Sequence, residues 1–294
     1  MSEALIRTGT GLGRAPMTLI DWLSLKLVRS WGLQSRWVDS GLGRLHVLDG
    51  PGRGPLPPVV LVHGMGARST HFRFVIRELL AHHRRIIVPD LLAHGLSDVP
   101  GDFHGRDVTR SVEDAILPSL DEPVVLFGNS MGGKAALEFA CRHPEAVARL
   151  VVAGPAGAFA PDEVLRVWRK RFDAQTHQDG LRLVSQVFGR DFSWPARQVI
   201  AWGARKQVNT PTVRLLLEGL SEADCLDPSQ LQSLPMPVLL LWGQHERMMD
   251  EGHLEWFQTH LPAHTRIQRP PFGHSPFMEA PRVLARIIVE DSRC

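Results

Sequence analysis

The stretch VVLFGNSMGGKAAL, residues 124–137, constrains this chain more than any other. Its first half is a continuous apolar run, the pattern of a strand buried on both faces. Its second half has helical character. Between them Gly128-Asn129-Ser130-Met131-Gly132 fits G-x-S-x-G. A buried strand that turns directly into a helix leaves no room for Cβ atoms at Gly128 and Gly132, and it strains the backbone at Ser130. Such a unit presents the Ser130 hydroxyl at the carboxyl end of a sheet. The helix N-terminus behind it offers free N–H groups and positive potential.

The same rhythm runs along the chain. Strands are predicted at 44–50, 58–64, 85–91, 123–128 and 148–154, with helices at 70–83, 106–120 and 130–144 between them. This alternation implies an α/β fold with a mostly parallel central sheet flanked by helices. From 155 to 235 no strand is predicted, only amphipathic stretches such as DEVLRVWRKRF and TPTVRLLLEGL. Strands resume at 236–243 and 264–270, and a helix at 281–291 closes the chain. The expected organisation is therefore a leader and amphipathic helix over 1–43, a core over 44–154 and 236–294, and an all-helical cap over 155–235. GTGLG at 9–13 has no strand before it and reads as a flexible leader rather than a dinucleotide loop.

At 294 residues and 44% hydrophobic content, the chain suits one large domain with an insertion. The formal net charge of +2 and the lack of long charge blocks argue against a nucleic-acid partner. Cys141, Cys225 and Cys294 form no CxxC pair, which argues against a disulfide framework or structural zinc and fits a reducing cytoplasm. The N-terminus lacks the apolar region of a signal peptide, and no run of about 20 apolar residues is available to span a bilayer. Residues 17–33, MTLIDWLSLKLVRSWGL, place Ile20, Leu23, Leu27 and Trp31 at helical spacing. Two readings follow: a helix packed on the domain, or one in peripheral contact with a membrane.

A serine hydroxyl needs a base to act as a nucleophile. His274 is the best candidate, because FGHSPFMEAP (272–281) follows a strand and precedes the last helix, so its loop lies at the Ser130 end of the sheet. Charge developing on an attacked carbonyl needs backbone donors. The Met131 N–H and the Met65 N–H, in the loop HGMGARS (63–69), are placed to supply an oxyanion hole. His63 is expected to organise that loop rather than to act as a base. VLLLWGQHERMMDEGH (238–253) looks metal-like, but the H-E-x-x-H spacing fails because Met249 stands at the fifth position. No metal is expected.

HGMG, PDLLAHGLSD (89–98), GNSMGG and FGHSPFMEAP, in this order, resemble the α/β-hydrolase superfamily over residues 44 to 290. PDLLAHGLSD is similar to the family's D-x-x-G-x-G-x-S loop, with Ala93 where Gly is usual. The family's W-G-x-x-D turn corresponds to Trp242-Gly243-Gln244-His245-Glu246, so the resemblance implies Glu246 as the third member of a Ser130-His274-acid triad; Asp250 is the alternative. The layout is similar to monoacylglycerol-lipase-like carboxylesterases. That implies a cofactor-free serine hydrolase cleaving carboxylic esters of small-molecule acyl substrates. A C–C bond hydrolase, a thioesterase or an acyltransferase with the same triad stays open, although HGMGARS lacks the Gly-Pro-Gly usual in the C–C hydrolases. Haloalkane dehalogenases and epoxide hydrolases need an Asp nucleophile where Ser130 stands. The aromatics Phe159, Trp168, Phe172, Phe188, Phe192, Trp194 and Trp202 are expected either to line an apolar acyl pocket or to pack the cap.

Overall fold

Runs such as Val59–Val62, Val124–Asn129 and Val238–Leu241 are buried at every position, so each needs cover on both faces. The computed structural model, which describes residues 17–293, provides it. Helix α1 (Leu19–Ser30) leads into strands β1 (Gln34–Ser40), β2 (Gly43–Pro51) and β3 (Val59–Val62). Helix α2 (Arg73–Leu79), strand β4 (Arg85–Pro89), helix α3 (Gly105–Ile116), strand β5 (Val124–Asn129), helix α4 (Met131–Arg142) and strand β6 (Val147–Ala153) follow. Helices α5 (Asp162–Arg169), α6 (His177–Val187), α7 (Trp194–Val208), α8 (Pro211–Gly219) and α9 (Pro228–Gln232) come next. Strand β7 (Val238–Leu241), helix α10 (Glu251–His260), strand β8 (Arg266–Gln268) and helices α11 (Pro276–Glu279) and α12 (Pro281–Asp291) complete the described chain. The GTGLG leader and Cys294 lie outside the described residues.

The eight strands form one sheet in the order β1-β2-β4-β3-β5-β6-β7-β8. β1, β2 and β4 pair antiparallel, and every pairing from β4 through β3 to β8 is parallel. From β3 the chain moves to β4 on one side, and from β5 it moves to β6 on the other. The carboxyl ends of β3 and β5 therefore flank the switch point of the sheet, where ligand sites of such folds lie. One apolar layer joins α3, α4 and α10 to one face of the sheet. A second joins α1, α2 and α12 to the other.

The sheet starts earlier than the sequence pattern indicates. β1 has an edge strand's alternating exposure, and its apolar residues are few, so local pattern does not reveal it. Tertiary pairing fixes it: Arg36 Nε lies 3.3 Å from Asp49, and Ser35 Oγ lies 2.9 Å from His46 Nε2. Between β6 and β7 the described chain is helical, as its amphipathic stretches predict. No described helix is long and apolar enough to cross a membrane.

Candidate active site

β5 delivers Ser130 into the N-cap of α4 with φ 56° and ψ −121°. Ser130 and Ala93 are the non-glycine residues at positive φ among those described. Strain of this kind persists only where surrounding structure enforces it. Here the Ser130 N–H donates to Ala153 O at 3.0 Å, and Ser130 O accepts from the N–H groups of Lys134 and Ala156, both at 3.0 Å. The turn is also crowded. A Cβ on Gly128 would stand 2.2 Å from Gly132 O, and one on Gly132 would stand 2.4 Å from His63 O. Side chains at either position would push α4 away from the sheet and from the loop after β3.

That loop is held by buried polar contacts. His63 donates from Nδ1 to Gly64 O at 2.9 Å, and its Nε2 accepts the Leu91 N–H at 3.1 Å. Burial, with the nearby His94 charge second, pushes the His63 pKa down to about 3, so the ring is neutral. It ties the loop to the segment after β4, as the expected organising role requires. Asp90 anchors the same region: it accepts from the Ser69 N–H at 2.6 Å and the Leu96 N–H at 3.0 Å, and it faces His46 Nδ1 at 2.9 Å. Burial acts to raise the Asp90 carboxyl, but the His46 hydrogen bond and charge outweigh it and hold it below the ordinary carboxylate range. Ala93 takes φ 62° nearby, a left-handed conformation that explains why glycine is usual at this position of the loop. Among the described residues, neither the Met65 nor the Met131 N–H donates to a loop or cap carbonyl.

His274 lies on the loop between β8 and α11, and Glu246 lies just after β7. His274 Nδ1 is 2.8 Å from Glu246 Oε2. Both side chains are buried, and Glu246 Oε1 accepts the N–H groups of Met248 at 2.8 Å and Met249 at 3.0 Å. Burial raises the Glu246 carboxyl, but the His274 charge and hydrogen bond and the two backbone donors outweigh it, so its pKa falls below the usual value. Gly154, at φ 46°, leaves the space this pair occupies: a Cβ there would stand 2.8 Å from Glu246 Oε2 and 3.2 Å from His274 Nδ1. Asp250 is engaged elsewhere. It caps α10, accepts from the His253 N–H at 3.2 Å and faces His253 Nδ1 at 2.8 Å.

Two supporting residues carry little local sequence signal. Asn129 Nδ2 donates to Ala153 O at 2.9 Å and to His274 O at 2.8 Å, fastening the serine turn to the histidine loop. Glu279 accepts from the Gly273 N–H at 2.6 Å and from the Gly189 N–H at 2.8 Å, and the His274 N–H donates to Val187 O at 2.8 Å. The end of α6 is thereby fixed to the loop of His274. The x of G-x-S-x-G and the acid five residues after His274 are the only pointers to these roles. The aromatics between β6 and β7 divide. Phe159, Trp194 and Trp202 are 54%, 75% and 50% exposed, so they form no enclosed wall, whereas Phe188 packs edge-on against Phe192. Among the described residues no group of His, Cys, Asp or Glu is arranged to hold a metal ion.

A mostly parallel sheet with a serine on a strained strand-to-helix turn beside its switch point is the arrangement of a class of hydrolases. The chain belongs to the α/β hydrolase fold family, whose model matches residues 57–281. It is an enzyme of that family. It is 27% identical over 254 residues to a pimeloyl-[acyl-carrier protein] methyl ester esterase of Aromatoleum aromaticum, covering 80% of this chain and 97% of that one. It is 43% identical over 109 residues to a 2-hydroxymuconate semialdehyde hydrolase of Pseudomonas sp., covering 35% of this chain and 38% of that one. Its fold is similar to a solved 2-hydroxy-6-oxo-6-phenylhexa-2,4-dienoate hydrolase from Rhodococcus sp., with TM-score 0.73, 23% identity, and 89% of this chain and 99% of that one covered.

Proposed function

We propose that this enzyme is a serine hydrolase cleaving carboxylic esters of apolar acyl groups through an acyl-enzyme. The observation that carries this reading is the 2.8 Å contact of buried Glu246 with His274 Nδ1, at the sheet end that bears the strained Ser130. With Nδ1 engaged, Nε2 is the ring nitrogen left for proton transfer. Ser130 Oγ attacks the acyl carbonyl as its proton passes to His274 Nε2. The carbonyl oxygen becomes an oxyanion held by the Met65 and Met131 N–H groups, each such donor contributing about 3 kcal/mol. Collapse breaks the ester C–O bond, and the leaving alkoxide takes the proton from Nε2. Water then attacks the acyl carbonyl as its proton passes to Nε2; collapse of this second intermediate breaks the bond to Ser130 Oγ, which takes the proton back from Nε2 as the acid leaves. Glu246 holds the imidazole in the required tautomer and stabilises its cation.

The esterase relative matches across nearly its full length, which supports an ester bond. The 2-hydroxymuconate semialdehyde hydrolase match covers a shorter segment at higher identity and keeps C–C cleavage as the second reading. We take residues 155–235 as a cap over the cleft, a small acyl molecule as the partner, and the reducing cytoplasm as the setting; Cys141 and Cys225 are free thiols. The test is a panel of p-nitrophenyl esters, acyl thioesters and ring-fission dienoates, with Ser130→Ala as control. Turnover of the esters at rates above the other two classes, lost in Ser130→Ala, is the expected result. Turnover confined to the dienoates would replace ester cleavage by C–C cleavage.

A further inference from the structure

A surface helix ordinarily buries its apolar stripe and turns its polar side to water. α1 follows this only in part: Val28 packs in the core, but most of its apolar residues face solvent. Its buried residues are Asp21, Ser24 and Val28. Asp21 completes a capping box with Thr18, lies 3.2 Å from Arg68 Nη1 and 3.6 Å from His71 Nε2, and is 6% exposed. This ion cluster holds the helix with its apolar residues outward. Leu19 is 70% exposed, Ile20 63%, Leu23 51%, Met17 42%, Trp22 41% and Leu27 39%. Phe74 on α2, the helix α1 packs against, is 43% exposed.

The exposed charge on α1 has one sign. Asp21 is the sole acid between residues 17 and 33, and it is already paired inside. Lys26 and Arg29 stand exposed on α1 and Arg77 on α2, while Glu78 beside Arg77 faces Arg282 at 3.6 Å. Lys26 Nζ sits 3.8 Å over the Trp22 ring, an arrangement that keeps an aromatic body in apolar surroundings and a cation among phosphates. On α1 itself a second copy of the chain offers no exposed acidic side chain to meet these cations. A helix about 18 Å long, with an exposed apolar face and exposed cations, matches the requirements for lying in the interface of an anionic bilayer.

We propose that α1 is an interfacial helix that seats this protein on anionic lipid surfaces. Asp21 fastens it to Arg68, three residues after Met65, so the helix adjoins the loop at the carboxyl end of β3. Docking itself is independent of the ester reading.

The test is co-sedimentation of the full chain with vesicles of phosphatidylcholine containing phosphatidylglycerol, and with phosphatidylcholine alone. Wild-type protein is expected to sediment with the anionic vesicles and to be released by salt. Leu19→Ser/Leu23→Ser should lower the partition at least about tenfold, and Lys26→Glu/Arg29→Glu should lower it on anionic vesicles, with the thermal unfolding midpoint unchanged in both variants. No sedimentation of the wild type would overturn the proposal, as would binding that ignores Leu19→Ser/Leu23→Ser. Equal binding to both vesicles would overturn the assignment to anionic surfaces. A dimer dissolved by Leu19→Ser/Leu23→Ser, without vesicle binding, would give the face to a second copy instead.

Discussion

Replacing Glu246 by Gln changes little in shape and much in chemistry. Glu246 Oε1 already accepts two backbone N–H groups, so the amide oxygen of Gln must take that position. The reversed amide would press its NH₂ against both donors. The NH₂ therefore faces His274 Nδ1, 2.8 Å from where Oε2 stood. Being a donor, it requires Nδ1 to accept, which moves the neutral ring's proton to Nε2, the atom that must receive the serine proton. An acid-to-amide change that traps this tautomer lowers kcat about 10⁴-fold, or about 5 kcal/mol of barrier at 1.36 kcal/mol per decade. Asp250→Asn keeps a competent helix cap and should alter kcat by less than about twofold. Steady-state kcat on a p-nitrophenyl ester, with far-UV circular dichroism to confirm folding, separates the two. Retention of kcat within tenfold in Glu246→Gln, or an equal loss in Asp250→Asn, would refute the assignment of the acid.

Gly154→Ala places a methyl group 2.8 Å from Glu246 Oε2 at φ 46°; kcat should fall about 10- to 100-fold through displacement of the pair, and unchanged kinetics would contradict this geometry. Ala93→Gly should shift stability by less than about 1 kcal/mol, since relief of left-handed strain is offset by added chain entropy. Ala93→Val should lose about 2 kcal/mol or more, and urea unfolding of the pair checks both. The His63 pKa is about 3 in the folded chain against an ordinary 6.5. The unfolded state binds more protons between those values, so stability should fall as pH drops through that window. Depressed Asp90 adds a loss of the same sign below the unfolded carboxylate value of about 4. Thermal midpoints that stay flat from pH 7 to pH 3 would sink this account.

What the sequence made legible was local. The strand–turn–helix around Ser130 is specified by residues 124–137 themselves, because the same few residues create the strain, the crowding and the exposure of the hydroxyl. The mostly parallel sheet followed from the alternation of continuous apolar runs with helical patterns. The resemblance to the family's W-G-x-x-D turn pointed to Glu246 and left Asp250 open; the engagement of Asp250 with His253 is tertiary detail that spacing does not carry. Asn129 reaches His274 across 145 residues of chain, and nothing near Asn129 announces it. α1 shows a deeper limit. Its Ile20 and Leu23 leave open whether the stripe packs inward or faces outward, and the partners that decide it, Arg68 and His71, lie in another element. Periodicity reveals an amphipathic helix without saying which face meets the protein.

The proposed mechanism rests on Ser130 as a nucleophile activated by His274. The most direct measurement is intact-mass and peptide mass spectrometry after exposure to a fluorophosphonate, which modifies only an activated serine. One adduct per chain, localised to Ser130 and abolished in His274→Ala, is the expected result. A folded protein that takes no label, or labels at another serine, would contradict the mechanism.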